Sequence, residues 1–143
     1  MYLLDTNVIS EIRKVSRGTC DAAVAAWAND VDAQELYLSV VSIMELETGY
    51  LLLARRDVRQ AAILRHWIDH DVRSAFDGDR LLPVSVEIAS CCATLHVPSP
   101  MAHIDAWIAA TALVHNLIVV TRNIRDFHQT GANLLNPWDF AHQ

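Results

Sequence analysis

No run of about 18 uncharged apolar residues occurs anywhere in this chain of 143 residues, so no segment is expected to cross a bilayer as a helix. The amino-terminal "MYLLDT" has no basic region before its apolar residues and meets an acid at position 5, unlike a secretory signal. Cysteine is scarce. Cys20, Cys91 and Cys92 are the three present, and no CxxC or His-rich spacing surrounds them. That argues against a structural zinc site and a disulfide framework, and fits thiols kept reduced in the cytoplasm. Lysine is nearly absent: Lys14 stands alone and every other cationic side chain is arginine, which suits planar, bidentate contact with phosphate or carboxylate. The net charge of −6 has the wrong sign for a protein that binds nucleic acid through a broad basic surface. Acids gathered around bound cations would still leave another face locally positive. No repeat, low-complexity tract or linker divides the chain, and its length fits one domain over 1–143.

What is present is apolar and patterned. Hydrophobic residues make up 52% of the chain and charged residues 20%, enough for a sizeable core and too apolar for disorder. "YLLD", "ELYLSVV" from Tyr37 to Val41, "RLLPV", "LIVVT" and a stretch in "TGANLLNPWDF" read as short strands. Between them lie helical stretches. Asp21 is a candidate cap for "AAVAAWAND", Ser39 or Ser42 for "IMELETGYLLLA", and Ser85 for "VEIASCCATLHV". Met44, Leu51 and Ala54 mark the periodicity of the second of these helices. Ala62, Leu64, Trp67, Ile68 and Val72 are the expected inner positions of one long helix in "RDVRQAAILRHWIDHDVRSAF". "MAHIDAWIAATALVHN" is an alanine-rich helix that Asn116 can end, and "RNIRDF" is a loop or short helix. Strands alternating with helices over short connections imply an α/β fold, a three-layer α/β/α sandwich with a mostly parallel central sheet.

In such a sheet the functional crevice lies at the carboxyl ends of the strands. Asp5 ends the first strand, Glu45 lies early in the helix after the second, and Asp105 starts the "HIDAWIAAT" helix. Asn123 and Asp126 follow "LIVVT". Each acid alone has an ordinary explanation as a cap, a first-turn acid or an exposed position. Together they bring carboxylates from four distant segments to one sheet edge, where their mutual repulsion calls for a cation. A donor set of oxygens without Cys or His selects a hard ion, Mg²⁺ or Mn²⁺, and such an ion suits phosphodiester hydrolysis. His103 and Glu47 each sit two residues from a candidate acid and face another side of their helix. Glu11 remains an outer candidate.

"MYLLDTNVISE", "SIMELETG", "HIDAWIAATALVHNLIVVTRNIRDF" and the terminal "NPW", taken in this order, resemble the PIN domain. More narrowly they resemble the VapC/FitB-type toxins of bacterial toxin–antitoxin pairs. The resemblance covers Tyr2 to Trp138. It implies a PIN-like fold and a Mg²⁺- or Mn²⁺-dependent endoribonuclease acting on tRNA or another structured RNA. The family's metal-binding acids match Asp5, Glu45 and Asp105. The fourth acidic place falls in "TRNIRDF", where position 123 is Asn and not the Asp that directly follows "TR" in one variant of the family. Asp126 is then the candidate acid, with Asn123 as a neutral ligand or as an outer group that supports the ligands. Thr6, Asn7 and Thr121 match polar positions that hold carboxylates and water. The resemblance further implies a homodimer and a cognate antitoxin that covers the active site.

Candidate contacts to RNA are Arg13, Lys14 and Arg17 after the first strand, and Arg122 and Arg125 near the fourth acid. Two other acid-bearing α/β classes fit less well. A receiver domain needs a lysine after a late strand. A haloacid-dehalogenase-type phosphatase needs Asp-x-Asp where this chain has Asp5 and Asn7. Asn123 keeps one alternative open: a PIN-like module with weakened catalysis that binds a protein partner.

Overall fold

The apolar runs form the five short strands of one parallel sheet in a computed structural model that describes residues 1–141. The strands are β1 (Tyr2–Leu4), β2 (Leu36–Ser39), β3 (Leu81–Leu82), β4 (Ile118–Val120) and β5 (Leu134–Leu135), in the order β3-β2-β1-β4-β5. β1 is central: Tyr2 and Leu3 pair with Leu36 and Tyr37 on one side, and Tyr2 to Leu4 with Ile118 to Val120 on the other. The helices are α1 (Thr6–Ile12), α2 (Ala22–Asp30), α3 (Val40–Ala54), α4 (Val58–His66), α5 (Arg73–Ala75), α6 (Val86–Leu95), α7 (His103–His115) and α8 (Ile124–Phe127).

Successive strand residues point to opposite faces, and each face has its own core. Leu4 and Val120 join Val8, Trp27, Leu38 and Ile68 on one side. Leu3 and Val119 join Ile108, Ala109, Leu117 and Phe127 on the other. Two cores flanking one sheet make the three layers expected from the sequence. Ala106, Ala109, Ala110 and Ala112 of α7 are all buried, and their small side chains let that helix lie close against the sheet and α6. No helix among the described residues is long and apolar enough to cross a membrane.

The caps fall where the side-chain chemistry placed them. Asp21 Oδ1 accepts the N–H groups of Ala23 and Val24, and Ser85 Oγ accepts that of Ile88. Of the two serines open as caps for α3, Ser39 serves, accepting the Val41 N–H at 3.0 Å. Asn116 closes α7 in the left-handed conformation at φ 54°. Three expectations shift. β2 ends at Ser39 and not Val41, because that cap starts α3 at once despite its β-branched first turn. The long helix after α3 contains a π-helical turn, Trp67–Val72, between α4 and α5. Leu64, Trp67, Ile68 and Val72 pack inward, but Ala61 is the buried alanine and Ala62 is exposed. Met44 and Leu51 are also exposed, because α3 buries Val41, Ser42 and Leu46 and carries more apolar residues than one face can hide.

Strands grow outward from β1 in both directions, to β2 and β3 on one side and to β4 and β5 on the other. The switch point therefore lies between the carboxyl ends of β1 and β4, where an open α/β sheet has its crevice.

Candidate functional site

Asp5 occupies that switch point. It is the first residue past β1, its N–H bonds the Val120 carbonyl of β4, and only 5% of it is exposed. Both carboxylate oxygens are engaged. Oδ1 accepts the Thr6 N–H at 2.8 Å, so Asp5 does cap α1. Oδ2 accepts the Thr121 hydroxyl at 2.8 Å and the Asn7 amide at 3.2 Å. Thr121 Oγ1 in turn accepts the Asn123 N–H at 3.0 Å, and Asn7 Oδ1 accepts the Arg122 N–H at 3.4 Å. The start of α1 and the segment after β4 are thus laced together around one buried acid.

Glu45 reaches the same place from the second turn of α3. Thr6 Oγ1 lies 2.5 Å from its Oε1 and 3.1 Å from Ser42 Oγ. Thr6 has one proton to give; donated to the carboxylate, it leaves Ser42 as the donor to Thr6. Asp105 stands in the first turn of α7, half-buried, and its side chain has no hydrogen bond or ion pair among the described residues. Asp126 is exposed in the first turn of α8, with its N–H on the Asn123 carbonyl. Asn123 holds the N-cap position of α8 without a capping hydrogen bond from its side chain.

Electrostatics join the four acids. Burial pushes the Asp5 carboxyl up, the bonds from Thr121 and Thr6 oppose this, and the Asp126 charge adds to it. Burial also raises Glu45, against the Thr6 bond and with the Asp5 charge. Asp105 is pushed up to about 6, by burial first and then by Asp5, Asp126 and Glu45. Each acid would hold its charge more easily beside a cation. As they stand, no three His, Cys, Asp or Glu side chains among the described residues are set closely enough to hold an ion between them. The donors are nevertheless right in kind: oxygens alone, mutually repelling, with the Asp105 carboxylate unpartnered.

The family model described as PIN domain matches residues 2–133. The chain belongs to the PIN-domain family. VapC ribonuclease Y4jK of Sinorhizobium fredii is 34% identical over 146 residues, covering 99% of this chain and 100% of that protein. Toxin FitB of Neisseria gonorrhoeae is 32% identical over 143 residues, covering 96% and 99%. The crystal structure of FitAcB from the same organism superposes with a TM-score of 0.86 at 32% identity, covering 98% of this chain and 100% of the solved one.

Around this PIN-domain core the other candidates separate. Arg125 shares a cleft with Asp126, while Arg122 lies over the Trp138 ring at 5.1 Å and its charge acts on Glu11. Arg13 lies over Trp67, and with Arg17 it lines a groove beside α1 and α4. Lys14 pairs with Glu11 at 2.7 Å, and Glu11 also accepts the Asp21 N–H, which ties the two ends of the α1–α2 connection. Glu47 is bidentate to Arg65, and His103 packs its ring on His96. Ser42 joins the site unforeseen. Its signal was in the sequence: it precedes Glu45 by three residues, one helical turn, and so shares its face.

Proposed function

We propose that this PIN-domain protein is a metal-dependent endoribonuclease that acts as the toxin of a toxin–antitoxin pair. The observation that supports this most is the gathering of Asp5, Glu45, Asp105 and Asp126 at the β1/β4 switch point, where Asp105 feels the charges of the other three. In this reading Asp5, Glu45 and Asp105 hold Mg²⁺ or Mn²⁺, with Asp126 and Asn123 completing the set. When bound, such an ion lowers the pKa of water and stabilises charge on the phosphoryl oxygens. The chain's own residues do the rest. Thr121, Asn7 and the Thr6 N–H fix the Asp5 carboxylate, and the Thr6 hydroxyl fixes Glu45. Asp105 and Asp126 carry no donor on their side chains, so both are free to bind or to take a proton from water. Arg122 and Arg125 neutralise phosphates of the bound RNA.

Two partners belong to this reading. The first is a second copy of the chain. The second is an antitoxin, with an apolar segment seated in the groove of about 520 Å³ lined by Ile9, Ile12, Ile63, Trp67 and Phe76. Trp67 and Phe76 give that groove aromatic walls, and Arg13 and Arg17 give it a basic rim suited to an acidic partner.

The experiment is cleavage of structured RNA, including tRNA, with Mg²⁺ or Mn²⁺ and then with chelator. Cleavage is expected only with metal, and Asp5→Asn should abolish it. Equal cleavage under chelation, or an active Asp5→Asn variant, overturns the reading. Tight RNA or protein binding without any cleavage would instead favour the binding module that Asn123 leaves open.

A further inference from the structure

Beside the acids, α8 forms one wall of a second cleft, of about 400 Å³. Its other wall is the loop joining α6 to α7. Leu95, Pro98, Pro100 and Met101 give it apolar surface, and Arg125, Asp126 and Gln129 face them. The loop is tied at its base, where the Met101 N–H donates to His96 Nδ1 at 3.3 Å. Several polar groups in the walls are already committed. The Thr94 hydroxyl bonds the Cys91 carbonyl, and the Thr130 hydroxyl bonds the Phe127 carbonyl. The side chains of Gln129, Arg125 and Ser99 make no hydrogen bond or ion pair among the described residues.

We infer that this cleft receives one unpaired base of the RNA, the base neighbouring the cleaved bond. The inference rests on the nuclease reading above. Asp126 belongs at once to the acid cluster and to the cleft wall, so a strand crossing the acids meets the cleft within one nucleotide. The volume lies at the lower end of the range for small-molecule sites, room for one nucleotide and not for a duplex. A second phosphate is disfavoured inside by the Asp126 carboxylate. A ribose would leave the proline and leucine surfaces uncovered. A flat heteroaromatic ring covers them, and its polar edge meets the Gln129 amide, which offers both a donor and an acceptor. Unpaired bases are also the part of RNA that proteins read by sequence. Gln129 is therefore a specificity-determining residue, and Arg125 is placed to lie against the ring or its phosphate.

The test begins by mapping the bond that wild-type protein prefers in a pool of random single-stranded RNA with Mg²⁺ or Mn²⁺. The best short substrate is then made in three forms: intact, and with an abasic ribose on either side of that bond. One abasic form should lose at least tenfold in kcat/KM. Gln129→Trp, which fills the cleft from an exposed position, should lower cleavage of the intact RNA by a similar factor and leave that abasic form unaffected. Gln129→Ala should keep the melting temperature while changing which base is preferred. Equal cleavage of all three forms, or an equal loss on intact and abasic RNA in Gln129→Trp, overturns the base subsite while the nuclease reading stands. If wild-type protein cleaves no RNA with either ion, the nuclease reading fails and takes the subsite with it.

Discussion

At the scale of single residues, the site is a set of carboxylates whose orientation depends on neutral neighbours. Thr6 is the sharpest case, because one hydroxyl links Glu45 to Ser42 while its N–H holds Asp5. Thr6→Val keeps the shape and removes only the hydroxyl bonds. It should lower metal affinity and RNA cleavage by roughly 10- to 100-fold, the usual cost of losing a group that orients a ligand, and Thr6→Ser should restore both. Unchanged metal affinity in Thr6→Val would remove Thr6 from the positioning role. Asp105 carries a different consequence. In the folded chain it holds its proton up to about 6, above its ordinary 3.8. The folded state therefore binds the extra proton between these values. That contribution to stability is complete below about 3.8 and is lost as pH rises through about 6. In chelator at pH 7.5, Asp105→Asn should be more stable than wild type by on the order of 1 kcal/mol, a figure kept small because water screens a half-buried carboxyl. The gain should fade by pH 4, and saturating Mg²⁺ or Mn²⁺ should reverse the order, since an ion bound to the native state stabilises wild type. Thermal melts across pH decide it; an Asp105→Asn variant less stable than wild type in chelator at pH 7.5 contradicts the charge-repulsion account. These acids were legible in the sequence because strand ends in a parallel sheet share one edge. The spending of Lys14 on Glu11 and of Arg13 on Trp67 was not, because ion pairs and ring contacts depend on side-chain reach that strand order does not specify.

At the scale of elements, local chemistry was read correctly where a single residue decides the outcome. Asp21, Ser85 and Asn116 end or begin helices through their own side chain or backbone conformation, and nothing distant is needed. Tertiary packing defeated the reading where phase matters. Ala61 and Ala62 are adjacent and chemically identical, and only the seating of α4 and its π-helical turn against Ile68 and Val72 buries the first and exposes the second. The same seating opens the groove between α1 and α4, in which Ile63 is 47% exposed. An apolar side chain left at a groove wall is the feature an amphipathic partner segment would cover. Ile63→Asp should leave the fold and free RNA cleavage intact, since it buries no charge. It should abolish co-purification of the antitoxin when the two are expressed together. Retained co-purification would place the antitoxin elsewhere.

At the scale of the whole molecule, the apolar excess that the composition records is not all used inside. Along α3, Met44 is 47% exposed, Leu51 62% and Leu52 60%, on the helix that also delivers Glu45 to the site. The periodicity of this stretch suggested an inner face because it is apolar nearly all round, and a sequence does not say which apolar residues face a core and which a second molecule. Isolated exposed leucines need no explanation, but adjacent leucines about two helical turns beyond Met44, with Thr48 between, form an exposed strip of the kind that marks an interface. Pairing of two chains through this strip would also stiffen the helix that carries Glu45, which links assembly to the site. Wild-type protein should therefore run in light scattering at twice the 16.0 kDa of one chain. Leu51→Asp combined with Leu52→Asp should run as a folded monomer, because two desolvated charges facing their copies across a symmetric contact cannot be accommodated. A wild-type monomer, or a double variant that stays dimeric, would leave the strip without a role in self-association.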